Sequence, residues 1–491
     1  MPDSGAGRAK DGIGIVDIGS NSVRLVLFAG LRRTPIPLFN TKVTPRLGQG
    51  LGKTGKLNPS GVTLTLASLQ RFGRQLDALG IERTKIFATA AVRDADDGEQ
   101  FIQRARQILG RDIEILAGGE EARLSALGVI TGYPYADGVM ADLGGGSLEL
   151  VELDGGTIGN RMSLPLGTLA LSDLCEGDFA RARKEIDRQL ANEADWLRRV
   201  RGRALFPVGG SLRAIGRVHM AQREYHLRII QGYGVPAEEV LSFCRRIAAT
   251  DPAKLRLPGI SRSRAELVPI AALVLERLVL LAEPSDVLFS AFGLREGAVY
   301  DLLAEHERLR DPLFEACARM APVPSGREDI AAELLAFTTP LVGDERARDL
   351  RMRLAACRLA NIGWQEHPHY RAEQAMLRVL RSTEITSRHD ERAYLALAVK
   401  YRYGGNQRTP GASHVYDLLD DDMAQRAALV GLGLRLGCKL SASARSLLAE
   451  SELRVEDGTV HLVLPPNLPT DDAIEVRLTD LARKAGLKVR H

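Results

Sequence analysis

Three short segments of this chain combine small residues, hydroxyls and an acid in a way that suits phosphate chemistry. Asp17-Ile18-Gly19-Ser20-Asn21-Ser22 and Asp142-Leu143-Gly144-Gly145-Gly146-Ser147 each lie between two apolar runs, and Gly209-Gly210-Ser211 follows the apolar run Ala204 to Val208. A strand ending in such a turn presents backbone N–H groups at one point with nothing bulky in the way, so phosphate oxygens can sit against the main chain. Ser20, Asn21 and Ser22 add side-chain donors, and the glycines Gly144, Gly145 and Gly146 before Ser147 permit close approach. The third turn, which includes Gly210 and Ser211, precedes a predicted helix beginning near Leu212, with Arg213 close to its N-terminus. Taken singly, such turns are commonly structural; two with a leading Asp and a trailing strand imply two similar halves.

Between the halves, Ala117-Gly118-Gly119-Glu120-Glu121-Ala122-Arg123 leaves a predicted strand and enters a helix, and Ala88 to Asp94 delivers Arg93 from another strand. Acids at a helix start are ordinarily surface residues favoured by the helix dipole. No Cys, Ser or His constellation offers a nucleophile, which favours direct attack by water over a phosphoenzyme. Gly52-Lys53-Thr54 imitates the end of a Walker A loop, but position 47 is Leu where that loop needs Gly. Glu366-His367-Pro368-His369 with His389-Asp390 reads as solvated surface rather than a metal cluster.

The elements that must carry these residues separate into regions. Strand-like runs alternate with amphipathic stretches up to about residue 137, including a helix over Gly61 to Leu79 and a strand over Asp112 to Leu116. The pattern restarts at Val139 and runs to about residue 309. Helical spacing then takes over from 310 to 445, over Arg327 to Phe337, Arg346 to Leu359, Ala372 to Leu380, Glu391 to Lys400 and Met423 to Leu434. Residues 446–491 revert to a strand over Glu452 to Leu464 and a helix over Asp471 to Ala485. The expected domains are thus 1–137, 138–309, 310–445 and a small α+β cap over 446–491.

With 491 residues, 45% hydrophobic and 26% charged, the chain can bury several cores. Its five cysteines are odd in number and scattered singly, which argues against a disulfide framework or a zinc site. No apolar run reaches the roughly 18 residues of a membrane span, and no leader-like segment precedes Gly12, so a cytoplasmic protein without membrane contact is expected. A net charge of +4 does not suggest a DNA partner. Only 11 of the 66 basic residues are lysine, a bias that suits phosphate recognition but equally fits an arginine-rich proteome.

Together the segments resemble the exopolyphosphatase and guanosine pentaphosphate phosphohydrolase family of the actin, Hsp70 and sugar-kinase superfamily. The resemblance rests on Asp17 to Ser22, Leu47 to Leu51, Ala88 to Arg93, Gly118 to Arg123, Asp142 to Glu149, Leu164 to Gly167, Gly209 to Arg213, Pro258 to Ser261 and Gly293 to Tyr300. It implies two actin-like, ribonuclease H-like α/β domains followed by a mainly α HD-like domain and the small cap. It further implies Glu121 as the base that activates water, Asp142 and Glu149 (with Asp17 as a further candidate) at a Mg²⁺ ion, K⁺ as a second candidate cation, and Arg93 with the three turns at the phosphates. Arg46, Arg264 and Arg295 fall in or beside matched segments, where helix-surface or ion-pair roles fit equally.

Where an active HD hydrolase has His and Asp, this chain has Ala360 and Asn361, so its helical domain is expected to lack hydrolase activity. Arg351, Arg353, Arg358, Lys400 and Arg402 are candidates for a basic channel guiding a polyanion, with a solvated helix face as the alternative. The implied activity is Mg²⁺-dependent release of orthophosphate from inorganic polyphosphate. The alternatives are hydrolysis of guanosine pentaphosphate, an alarmone of the stringent response, or non-catalytic binding of alarmone or polyphosphate. Guanosine tetraphosphate is a candidate inhibitor, and a homodimer is the expected assembly.

Overall fold

The computed structural model describes residues 11–250, 265–323, 327–406, 408–466 and 468–490. Pro258 to Ser261 and Arg264 of the sequence reading lie outside the described residues. The chain divides into two compact units, Met1–Arg310 and Asp311–His491.

Unit 1 contains two sheets whose openings repeat. In the first, β1 (Ile13–Ile18) pairs antiparallel with β2 (Val23–Phe28), which pairs with β3 (Pro37–Val43); β4 (Arg83–Ala88) runs parallel to β1, and the two-residue β5 (Glu114–Ile115) completes the order β3-β2-β1-β4-β5. In the second, β6 (Gly138–Leu143) pairs antiparallel with β7 (Leu148–Asp154), followed by β8 (Thr157–Leu164), and runs parallel to β9 (Ala204–Val208). Strands β10 (Gly234–Pro236) and β11 (Asp286–Leu288) extend that sheet in the order β10-β11-β9-β6-β7-β8.

The central strands are apolar because helices cover both faces: Ile13, Ile15, Val16 and Ile18 of β1 are all fully buried. The covering helices include α1 (Pro59–Ala78), α2 (Gly98–Leu109), α3 (Gly118–Gly132), α4 (Gly210–Gln222), α5 (Val268–Ala282) and α6 (Leu294–Asp301). Helices α3 and α6 touch through glycine. A Cβ on Gly128 would lie 2.2 Å from the Gly293 carbonyl oxygen, and one on Gly297 would lie 1.8 Å from that of Leu124. This contact fixes where the first turn of each helix points, which matters for the site below.

Unit 2 is mainly helical, with α7 (Pro312–Met320), α8 (Ala331–Thr338), α9 (Ala347–Arg358), α10 (Arg371–Leu380), α11 (His389–Arg402) and α12 (Asp421–Ser441), closed by β12 (Glu452–Glu456), β13 (Thr459–Val463), α13 (Asp472–Ala485) and β14 (Lys488–Arg490). Two sequence expectations are corrected. The run Glu452 to Leu464 is a hairpin rather than one strand, because Asp457 and Gly458 turn at φ 48° and 71°. The strand expected over Asp112 to Leu116 shrinks to β5. Among the described residues no helix is long and apolar enough to cross a membrane.

Candidate active site

The two hairpin turns close alike. Gly19 N–H donates to the Ser22 carbonyl at 3.0 Å, and Gly144 N–H donates to the Ser147 carbonyl at 3.0 Å. The turns also press on one another. A Cβ on Gly145 would stand 3.0 Å from Ser20 Cβ and 3.2 Å from Asn21 N, and one on Gly146 would stand 2.9 Å from Ser20 Oγ. Only glycine lets the second turn approach Ser20 and Asn21 this closely. The third turn joins them at Gly209 (φ +90°), where a Cβ would lie 2.4 Å from the Leu143 carbonyl oxygen.

Where the three turns meet lies a cleft of about 400 Å³. Ser20, Asn21, Ser22, Gly144, Gly145, Gly146, Ser147, Gly210, Ser211 and Arg213 all line it, as do Asp17, Glu121 and Asp142. Ser20 is partly committed, since its Oγ accepts the Ala91 N–H at 3.2 Å. Arg93 and Glu149 are not among the lining residues. Arg93 stands behind Glu121, donating to Glu121 Oε2 at 3.3 Å and to the Leu116 carbonyl at 2.9 Å. Glu149 lies under the turn, 1% exposed, with Ser163 Oγ donating to its Oε1 at 2.8 Å.

The structure separates the neighbouring acids at the start of α3. Glu120 faces Arg123, which is also bound to Asp301 by two contacts of 2.9 Å. Glu121 turns inward. Burial, and then the charge of Glu149, push its carboxyl well above the ordinary range, while Arg93 opposes the shift. Burial likewise raises Asp142, whose Oδ2 accepts from Ser125 Oγ at 2.6 Å, and raises Glu149 to about 8 with Asp142 as the second cause.

Cations face these acids. Arg295 Nη1 donates to Asp17 Oδ2 at 2.9 Å, and burial followed by the neighbouring Arg295 lowers Arg213 to about 10. Arg24, Lys42, Arg217 and Arg295 also line the cleft. Sequence reading missed the first three as site residues. Two signals were available: Arg24 is two residues past Ser22 on the same strand, and Arg217 is one helical turn past Arg213.

The sequence of residues 29–306 matches the Ppx/GppA phosphatase family, and residues 316–491 match the exopolyphosphatase C-terminal domain. The chain belongs to the Ppx/GppA phosphatase family. Exopolyphosphatase 1 of Mycobacterium tuberculosis and of Mycobacterium bovis is 29% identical over 306 residues, covering 58% of this chain and 87% of the relative. The crystal structure of an exopolyphosphatase from Cytophaga hutchinsonii superimposes with a TM-score of 0.55 at 22% identity, over 59% of this chain and 97% of the other. A Ppx/GppA family member from Aquifex aeolicus gives 0.50 at 22% identity, over 59% and 97%. These likenesses establish the two actin-like α/β halves.

In the C-terminal domain of this family member, the expected basic channel is corrected. Arg353 is 2% exposed and bound by three contacts of 2.7 to 3.0 Å to Glu345, and Lys400 is fully buried with its Nζ 3.2 Å from Tyr416 Oη. Arg351 forms a bidentate pair with Asp311 at 2.6 and 2.8 Å. Helical periodicity turns Arg353 and Lys400 inward, against Glu345 and against the Tyr416 hydroxyl, and Arg351 is taken up by Asp311. Arg358 lies over the Phe314 ring at 4.6 Å, and Arg402 lines a separate cavity with Arg327, Asn361 and Trp364.

Proposed function

We propose that this protein is an exopolyphosphatase that hydrolyses the terminal phosphate of inorganic polyphosphate. The observation that carries the reading is the convergence of three Gly/Ser turns on one cleft with Glu121 held inward by Arg93. Phosphoryl transfer places its developing charge on equatorial oxygens, so positioned donors and cations do most of the work. The turns and Arg213 bind the terminal phosphate and Arg24, Lys42 and Arg217 take the phosphates behind it. The Glu121 carboxylate accepts a proton from a water as the water oxygen bonds to the terminal phosphorus. The bond from that phosphorus to the bridging oxygen breaks, orthophosphate leaves, and the shortened chain departs with the bridging oxygen. Arg93 positions the carboxylate and opposes its protonation.

A divalent ion fits this donor set. Asp142 and Glu149 are buried acids; burial raises both, the charge of Asp142 further raises Glu149 and that of Asp17 further raises Asp142, an arrangement relieved by a hard cation with oxygen ligands. Asp142, with Glu149 and Asp17, would hold Mg²⁺. Such an ion supplies neutralisation of phosphate charge.

Orthophosphate release from long-chain polyphosphate and from guanosine pentaphosphate, compared side by side with Mg²⁺, tests the reading. Faster release from polyphosphate is expected. Release from guanosine pentaphosphate alone would move the protein to the alarmone phosphatases, and binding of either without release would make it a regulator.

A further inference from the structure

Two adjoining cavities of about 300 and 270 Å³ in unit 2 share Arg371, Arg402 and Tyr403. The first is completed by Arg327, Asn361 and Trp364; the second takes Arg435, Lys439 and Arg477. Tyr403 forms their common wall and is fixed at its tip. Its Oη accepts the Gly363 N–H at 2.9 Å and donates to the Ala360 carbonyl at 3.0 Å. Gly363 is needed there, since a Cβ would lie 3.0 Å from the Tyr403 ring. The Arg402 guanidinium stacks 4.7 Å from the ring centroid, and its Nε is buried with no hydrogen-bond partner among the described residues.

Positive charge in the second cavity is poorly matched. Arg435 has Asp480 at 3.6 Å, but Asp480 also serves Arg483 at 3.3 Å; Lys439 has Asp471 at 3.4 Å. Burial, and next the neighbouring Arg477, lower the Arg435 guanidinium below its ordinary range. Crowded, half-desolvated guanidiniums are costly unless an anion joins them, and their planar forks suit phosphate oxygens. At the other end the chemistry changes. Trp364 is 46% exposed, a large ring beside an amide that can both donate and accept.

We propose that these adjoining cavities together form a binding site for a nucleoside polyphosphate, with the base against Trp364 and Asn361 and the phosphates across Tyr403 among Arg402, Arg435, Lys439 and Arg477. An inorganic phosphate chain needs only the cations; an aromatic face and an amide at one end are what a base needs.

The chain has two tryptophans, so Trp196→Phe leaves Trp364 as the single reporter in the full-length protein. Titration with the β,γ-imido analogues of ATP and GTP is expected to quench Trp364 saturably, while inorganic tripolyphosphate binds more weakly. Arg435→Gln is expected to weaken the nucleotide by about tenfold, the loss of one charge-assisted contact, while polyphosphate hydrolysis by unit 1 is retained. Calorimetry on Trp364→Ala in the otherwise unchanged chain reads the same site without the Trp196 substitution; about a tenfold loss is expected from the missing stack. The proposal is overturned if the analogues leave Trp364 fluorescence unchanged, if tripolyphosphate quenches it equally at the same concentration, or if both Arg435→Gln and Trp364→Ala bind nucleotide as tightly as the parent.

Discussion

The hairpins at the heads of the two sheets share a four-residue turn and a leading Asp, yet differ at the position across the strand from that Asp. Opposite Asp17 stands Arg24, whereas opposite Asp142 stands Glu149. Duplicated scaffolds thus carry opposite charge at equivalent places. The first hairpin brings a guanidinium to the cleft and its Asp is held by Arg295; the second accumulates buried acid beside Glu121. Under the proposed function this divides the work of the two hairpins: the first adds a guanidinium for the phosphates, and the second adds the acids that would hold the cation.

Four measurements test that division. Glu121→Gln is expected to lower turnover by about 10² to 10⁴ with substrate binding largely kept, because it removes the proton acceptor alone; near-normal turnover would remove Glu121 from the chemistry. Next come matched substitutions on the two hairpins. Arg24→Gln should raise KM for polyphosphate by about tenfold with a smaller change in kcat, and Asp142→Asn should raise the Mg²⁺ requirement by about 10- to 100-fold. If both variants moved the same parameter, the halves would not divide the work.

The third tests the seam between the halves. Gly145→Ala places a methyl 3.0 Å from Ser20 Cβ and should cost about 1–3 kcal/mol in chemical denaturation, with impaired activity. The last and smallest effect concerns pH. Glu149 has a folded-state value of about 8 against an ordinary 4.5, so between these the folded protein holds a proton that the unfolded chain releases. Stability without divalent ion should therefore fall as pH rises through that window, and Glu149→Gln should flatten the fall in thermal melts. An unchanged slope would mean that Glu149 ionises as an ordinary carboxyl.

The sequence exposed the turns because their chemistry is local: an Asp, small residues and a following strand are all visible within eight positions, as in Asp142 to Glu149. The separation of Glu120 from Glu121 was not legible from residue type, since it depends on Asp301, distant in the chain, capturing Arg123. Lys42 escaped notice for a similar reason: it reaches the site by pairing across from Arg24 in the β2–β3 register. In unit 2, charge pattern alone could not distinguish a guanidinium buried against Glu345, as at Arg353, from one left facing a cavity, as at Arg402. Such differences are set by tertiary pairing, which periodicity does not encode.

The contact of Gly145 and Gly146 with Ser20 also bears on how the cleft could ever change its taste for ligands. Walls built from rotamers can be widened or narrowed by exchanging one side chain for another. Here one wall is bare glycine backbone set against Ser20 and Asn21, so no side chain can be added on the glycine side without moving the loop. Selection for a larger or smaller anion would have to rebuild the loops themselves, whereas at Arg24, Lys42 and Arg217 the exchange of a single side chain changes the outer wall.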